Sequence, residues 1–261
     1  MKEKKIVKVM NFHSLIRVDA SRRQATKYMR LEQEVSEIID MIINNRNFIL
    51  DKTIFKIDEN APALHIYLGS DYGFCGSINF TINRMIEEQK DGDQIIIGRK
   101  LRRGNAEPLM KITREEFRAS LSELYRVLEN VVRENTHSSV TLHYFRFNNI
   151  SSIEPVSKQI YPYDLKHHDS ENYREDYFVE GDMNIILRNL ITSFLGYELR
   201  IAEVSSFASE NVLRQNSTTE SLKKIEEMEE EETLLMRKEK TQKSFKKVID
   251  SYVKKTFRRR S

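Results

Sequence analysis

Residues 183–208 read MNIILRNLITSFLGYELRIAEVSSFA, and their spacing decides what kind of molecule this is. Leu187, Phe194, Ile201 and Ala208 fall seven apart, with Leu190, Tyr197 and Val204 three residues after the first three. That is the period of a helix presenting one stripe to a partner helix. The pattern thins through Leu222, Ile225, Met228, Leu235 and Ile249. From Met183 onward there is no proline, and the single glycine is Gly196. At 1.5 Å per residue such a helix is roughly 110 Å long, more than a small domain can bury. Its partner must be sought elsewhere in the chain.

The N-terminal arm supplies one. Tyr28, Val35, Ile42 and Ile49 are seven apart, and Leu31 and Ile38 are assigned the intermediate positions. Its outer part, residues 13–27, is polar, so both arms thin in apolar residues away from the middle of the chain. All four prolines (Pro62, Pro108, Pro155, Pro162) lie in that middle, and proline breaks helix interiors. An antiparallel coiled coil beside a folded centre accounts for both facts. Two separate amphipathic helices packed on the domain are the plainer alternative.

The centre alternates. Residues 63–69 are a strand ending in Gly69; 77–89 have helical spacing, with Ser77 as expected N-cap. Residues 94–98 are a fully apolar strand of the kind buried in parallel sheets. A helix is expected over 113–135, opened by Thr113 and Glu116 in capping-box spacing. A third strand follows over 140–147, with a further one over 150–160; residues 163–182 carry no period. This βαβαβ order implies a small, mostly parallel, Rossmann-like sheet. The expected organisation is a shaft helix over 1–61, an α/β domain over 62–182 and a second shaft helix over 183–261.

Composition narrows the function. The chain has 261 residues, 32% of them charged and 39% hydrophobic, with a net charge of +3. Long solvated helices explain the excess of charge. One cysteine, Cys75, forbids an internal disulfide and suits a reducing compartment. No apolar run reaches the ~20 residues of a membrane helix, and the start lacks the apolar core of a signal peptide. A cytoplasmic protein is expected.

Chemistry-bearing residues are sparse. The turn Gly69–Asn79 is glycine-rich, but matches neither G-x-G-x-x-G nor the P-loop, so a structural turn is expected there. Cys75 has no paired base in sequence and reads as buried. His167 and His168, beside Asp164 and Asp169, have metal-ligand chemistry but sit in a polar connecting segment. The Glu226–Glu232 run reads as a solvated helix face. The basic end, residues 254–260, offers a solvated tail or a nucleic-acid contact. Two other classes stay open: a nucleotide-binding enzyme using 69–79, and a coiled-coil adaptor or nucleic-acid binder using that tail.

Four stretches together resemble the gamma subunit, the central shaft, of rotary F-type ATPases. Ile6-Val-Lys-Val-Met-Asn11 resembles the family's N-terminal segment, with Lys5 in place of an arginine. Ser70-Asp-Tyr-Gly-Phe-Cys-Gly-Ser-Ile-Asn79 follows its most specific signature. Ile96-Ile-Gly-Arg-Lys100 resembles the turn after the next strand, and Ser209-Glu-Asn-Val-Leu-Arg214 a step on the long C-terminal helix.

The resemblance implies a non-catalytic shaft turning inside an alternating hexamer of alpha and beta ATPase subunits. It implies contacts with an epsilon- or delta-like stalk subunit and with a membrane rotor ring or other transmission protein, and no nucleic-acid partner. ATP, ADP and Mg would bind the partner subunits, and the chain would lie at the inner face of the membrane. Arg214, Arg237, Lys238, Asn11 and Lys8 become expected contacts with the catalytic subunits. Ser70, Asp71, Gly73, Cys75, Gly76 and Asn79 become a signature loop facing smaller stalk subunits. The chain departs from the pattern at Gln215–Ser221, at Asp19–Arg23, and at Arg237-Lys238, which are followed by Glu239 and Lys240. Such departures fit a paralogous motor, as in wall-less bacteria and some gliding machinery, or an ordinary synthase shaft of a divergent lineage.

Overall fold

The computed structural model describes residues 2–44, 50, 57–89, 91–104, 106–119, 121–163 and 180–258. Two long helices, α1 (Lys2–Asn44) and α5 (Met183–Arg258), flank a central sheet. The sheet strands are β1 (Ala63–Leu68), β2 (Asp93–Ile97), β3 (Met110–Ile112), β4 (Ser139–Asn149) and β5 (Ser152–Tyr161). The shorter helices are α2 (Ile78–Glu88), α3 (Arg114–Ala119) and α4 (Ser122–Glu134).

Strand order is β3-β2-β1-β4-β5, parallel except for the β4–β5 hairpin. β1 is central, and the sheet separates two apolar layers. Leu64, Ile66 and Leu68 of β1 join Leu124, Leu128 and Val131 of α4 and Leu187, Ile191 and Leu195 of α5. Tyr67, between them, points the other way to Ile78, Ile82 and Ile86 of α2. Both faces being covered explains why β1 is apolar apart from His65, and β2 apolar after Asp93 and Gln94.

Three local expectations change. The helix expected over 113–135 is two helices. Its capping box does form: the Thr113 amide donates to Glu116 Oε2 at 2.6 Å and the Glu116 amide to Thr113 Oγ1 at 3.1 Å. α4 ends where Asn135 turns left-handed at φ 51, a conformation that asparagine tolerates. Ser77 precedes α2 without a side-chain cap. β3 is invisible in sequence because three residues carry no period.

α1 and α5 run antiparallel. Lys4 pairs with Glu229 at 2.7 Å, Asn11 meets Thr218, and Arg200 donates to Tyr28 Oη at 3.2 Å. The seam on α1 is shifted from the expected one. Ile39 is fully buried whereas Ile38 is 43% exposed, so the positions between Tyr28, Val35 and Ile42 belong to Glu32 and Ile39. A heptad allows either a three- or a four-residue step, and the neighbours of the helix choose between them.

α5 is covered on more than one side, because α1 lies against it and the domain packs on it elsewhere. Its serines bond to strand ends. Ser205 Oγ accepts from the Phe147 amide at 2.8 Å, and Ser209 Oγ donates to the Phe145 carbonyl at 3.2 Å. Beyond about residue 230 the helix continues past the start of α1, and its described side chains are exposed.

Candidate functional site

The signature loop between β1 and α2 is tied down from within. Asn79 Oδ1 accepts from the Ser70 amide at 3.0 Å, and its amide donates to Ser70 Oγ at 2.9 Å. Cys75 is buried, with Ser70 Oγ at 3.3 Å and Asn79 Nδ2 at 3.2 Å from its sulfur. Asp71 accepts from the backbone amides of Arg99 (2.8 Å) and Arg114 (3.1 Å). The carboxylate therefore closes the turn after β2 and caps the start of α3.

The glycines serve packing. A Cβ on Gly69 would lie 2.5 Å from Leu101, and one on Gly98 would lie 2.9 Å from the Gly69 backbone. Where an open α/β sheet would hold a phosphate beyond its strand ends, Leu101 fills the space.

The same loop is locked to α5 by a buried charge network. Arg114 is 5% exposed; it forms ion pairs with Glu210 and, at 3.3 Å, with Glu203, and donates to the Gly69 carbonyl at 2.9 Å. Arg214, also 5% exposed, pairs with Glu210 and donates to the Gly73 carbonyl at 3.3 Å. Arg118 pairs with Glu203 at 2.9 Å, and its guanidinium stacks 4.5 Å from the Phe207 ring centre. Buried charges are tolerated only when paired and hydrogen-bonded; each of these is paired, although Arg114 Nε approaches Glu203 at 3.3 Å without a hydrogen bond. The arrangement holds no nucleophile–base pair. It is a joint between rod and domain. Around it the surface is aromatic: Tyr72 is 59% and Phe74 64% exposed, and Phe74 holds a positive φ of 59°.

A family model described as ATP synthase matches residues 2–244. This chain belongs to the ATP synthase gamma-chain family. It is 22% identical to the gamma chain of Clostridium perfringens over 241 residues, 86% of this chain and 82% of that one. Against the gamma chain of Wolbachia sp. subsp. Brugia malayi it is 23% identical over 248 residues, covering 86% and 83%. Its fold matches a chain of the central stalk and c-ring structure of the Tetrahymena thermophila mitochondrial ATP synthase, with a TM-score of 0.52 and 17% identity. The match covers 83% of this chain and 99% of that one. A gamma chain is the central rotor stalk of an F-type ATP synthase and is a non-catalytic component of it.

Within this chain the residues singled out from sequence divide into two groups. Arg214, expected to face the catalytic subunits, is turned into its own chain and fastens the signature loop; burial between loop and helix leaves it no outward reach. Asn11 likewise points inward, its amide donating to α5. Lys8, Arg237 and Lys238 are exposed. Ser70, Asp71, Cys75 and Asn79 hold the loop's shape, with Gly73 supplying a carbonyl to Arg214 and Gly76 adopting φ 59 beside Leu213. Glu203 and Arg114 go unnoticed in sequence, because charged residues on a helix read as solvated until the packed surface is known; Glu210 is visible there only as part of the Ser209–Arg214 motif. His167 and His168 lie outside the described residues, as do the side chains of the basic tail. Among the described residues no His, Cys, Asp or Glu group has metal-binding geometry, and no helix is long and apolar enough to cross a membrane.

Proposed function

We propose that α1 and α5 form a shaft that turns inside a ring of alternating alpha- and beta-type ATPase subunits, with the α/β domain at its base. In this reading the molecule divides into shaft helix, domain and shaft helix at about residues 61 and 182. The observation that carries it is the outer end of α5. Leu234, Leu235, Met236, Phe245 and Val248 are each more than half exposed on a helix that runs on past α1. Most helical stability in proteins comes from packing of an apolar face, so a helix end with this many exposed apolar side chains calls for a sleeve.

The charges fit a moving contact. Arg237, Lys238, Lys240, Lys243, Lys246 and Lys247 follow the Glu226–Glu232 run, and exposed ion pairs are individually weak and exchangeable. Each catalytic subunit meets a different face of the shaft at each angle, and its nucleotide affinity then depends on angle through differential contact. Lys8, Arg237 and Lys238 are the outward contacts in this reading. Tyr72 and Phe74 offer a second surface to partner subunits of the stalk or ring. Nucleotide and Mg would be held by the partners, at the face of the membrane.

Affinity purification of the full chain from its native cells tests the reading. Co-recovery of paired alpha- and beta-type ATPase subunits is expected. Their absence, with the chain itself recovered intact, overturns it.

A further inference from the structure

In its first 21 residues, α1 lies on α5 with an unexpected face inward. Ile6, Val9, Phe12, Leu15 and Ile16 are between 49% and 61% exposed. Ser14 is 1% exposed and Ser21 2%, with Val18 at 5% between them. Lys4, Val7, Asn11, Ser14, Val18 and Ser21 follow the heptad spacing of the inward seam, with Val7 and Met10 half-buried there, so the inward face is mixed while the larger apolar residues lie outside. Apolar burial alone favours the opposite setting, in which the helix turns about its axis and lays the apolar stripe on α5. Something holds the polar face in.

Asn11 makes the contacts that do this. Its Nδ2, which carries two hydrogens, has three acceptors within reach: the Gln215 carbonyl at 3.1 Å, Thr218 Oγ1 at 3.0 Å and Thr219 Oγ1 at 2.8 Å. Thr218 in turn donates to the Arg214 carbonyl at 2.8 Å. Arg214 is the residue whose guanidinium holds the Gly73 carbonyl. One turn of α5 thus indexes α1 on one side and the α/β domain on the other. Lys4 also crosses to α5, but its partners Glu226 and Glu229 are exposed and its side chain is long, so it tolerates rotation of the helix. A polar residue in a helical seam selects one arrangement over apolar competitors, at a cost in stability.

We infer that Asn11 is a positioning residue: it sets the angle of the outer third of α1 on α5. The stripe Ile6, Val9, Phe12, Leu15 and Ile16 is thereby displayed outward to whatever surrounds the shaft. This does not depend on what the shaft turns against. Asn11→Ala is the informative change. It leaves the threonine hydroxyls with their own helical acceptors and removes the amide without adding a large apolar group that would itself favour the inward setting.

The test is thiol labelling of the full chain in a Cys75→Ser background, with a single cysteine introduced by Phe12→Cys or by Ser14→Cys. With Asn11 present, the thiol at position 12 reacts fast and the thiol at position 14 slowly. With Asn11→Ala, labelling at position 12 is expected to slow severalfold and labelling at position 14 to accelerate severalfold, while helix content is retained. Unchanged rates at both sites overturn the inference. So does acceleration at both, which reports loosening without rotation. If Asn11→Ala fails to fold, the Thr218→Val, Thr219→Val pair removes the side-chain acceptors from the other side and is read by the same criterion.

Discussion

Arg114, opening α3, and Glu210, on α5, form an ion pair across 96 residues of sequence with 6% and 2% of their side chains exposed. Glu210 serves Arg214 as well, so one carboxylate sits between two guanidinium groups. It fastens α5 to both α3 and, through Arg214, the signature loop.

Removing that carboxylate leaves two cations facing each other out of water. Glu210→Ala is expected to cost about 3–5 kcal/mol, the range for breaking a buried pair from one side. Replacing Arg114, Glu210 and Arg214 together by Met, Leu and Met costs less than the single change, because no charge is then left uncompensated. Urea unfolding monitored by circular dichroism compares the two. A triple variant less stable than Glu210→Ala contradicts the assignment.

Acid should weaken the domain through His143. Burial, reinforced by neighbouring His65, pushes its pKa from the usual 6.5 down to about 4, and burial lowers His65 as well. The two rings are bridged at 3.0 Å, and His143 reaches Ser157 Oγ at 2.8 Å. Above pH 6.5 both folded and unfolded states hold neutral His143, and its contribution is complete. Between 6.5 and about 4 only the unfolded state takes the proton, so stability falls by on the order of 3 kcal/mol. Thermal unfolding from about pH 7 to about pH 4 should show a shallower decline in His143→Gln than in the parent, and equal slopes would refute the claim.

Gly196 breaks a usual rule. Alanine in place of glycine inside a helix ordinarily gains about 1 kcal/mol. Here the added Cβ would lie 2.5 Å from the Tyr125 ring and 2.6 Å from its hydroxyl oxygen, and Tyr125 is also held by Arg200 at 3.3 Å. Overpacking of this kind costs about 1–3 kcal/mol. Gly196→Ala is therefore expected to lower the melting temperature; a rise would mean that the α4–α5 contact yields easily.

Charge reversal at Arg237 and Lys238 separates shaft contact from stability. Both side chains are exposed, so Arg237→Glu with Lys238→Glu should move unfolding by no more than about 0.5 kcal/mol. ATPase activity of the assembled complex should fall and become less dependent on salt. Unaltered activity and salt dependence would remove these two residues from the proposed contact surface.

Periodicity alone reveals much of this architecture. Heptads mark both arms, apolar runs mark β1 and β2, and the capping box at Thr113 forms as spaced. These are local signals: a helix or strand repeats its own geometry every few residues, and the pattern survives whatever surrounds it. The loop 70–79 is also legible, as a motif, though not what it grips.

Which stripe of a helix meets which neighbour is a different kind of fact. Ile39 is inside and Ile38 outside because the bodies packed around α1 choose the step. Glu203 looks like an ordinary helical charge, and Glu210 and Arg214 like parts of a motif with Arg214 facing outward, until α3 and the loop close over them. Asn11 and Ser14 lie inward while Phe12 and Ile16 lie outward, and the contacts of Asn11 with Gln215, Thr218 and Thr219 that accompany this exist only once the two helices are side by side. A rod, a sheet and a family motif are thus written along the chain. How the rod is fastened to the sheet is settled only by packing in three dimensions, because the energy of a buried charge or an inward asparagine depends on partners 96 to 208 residues away.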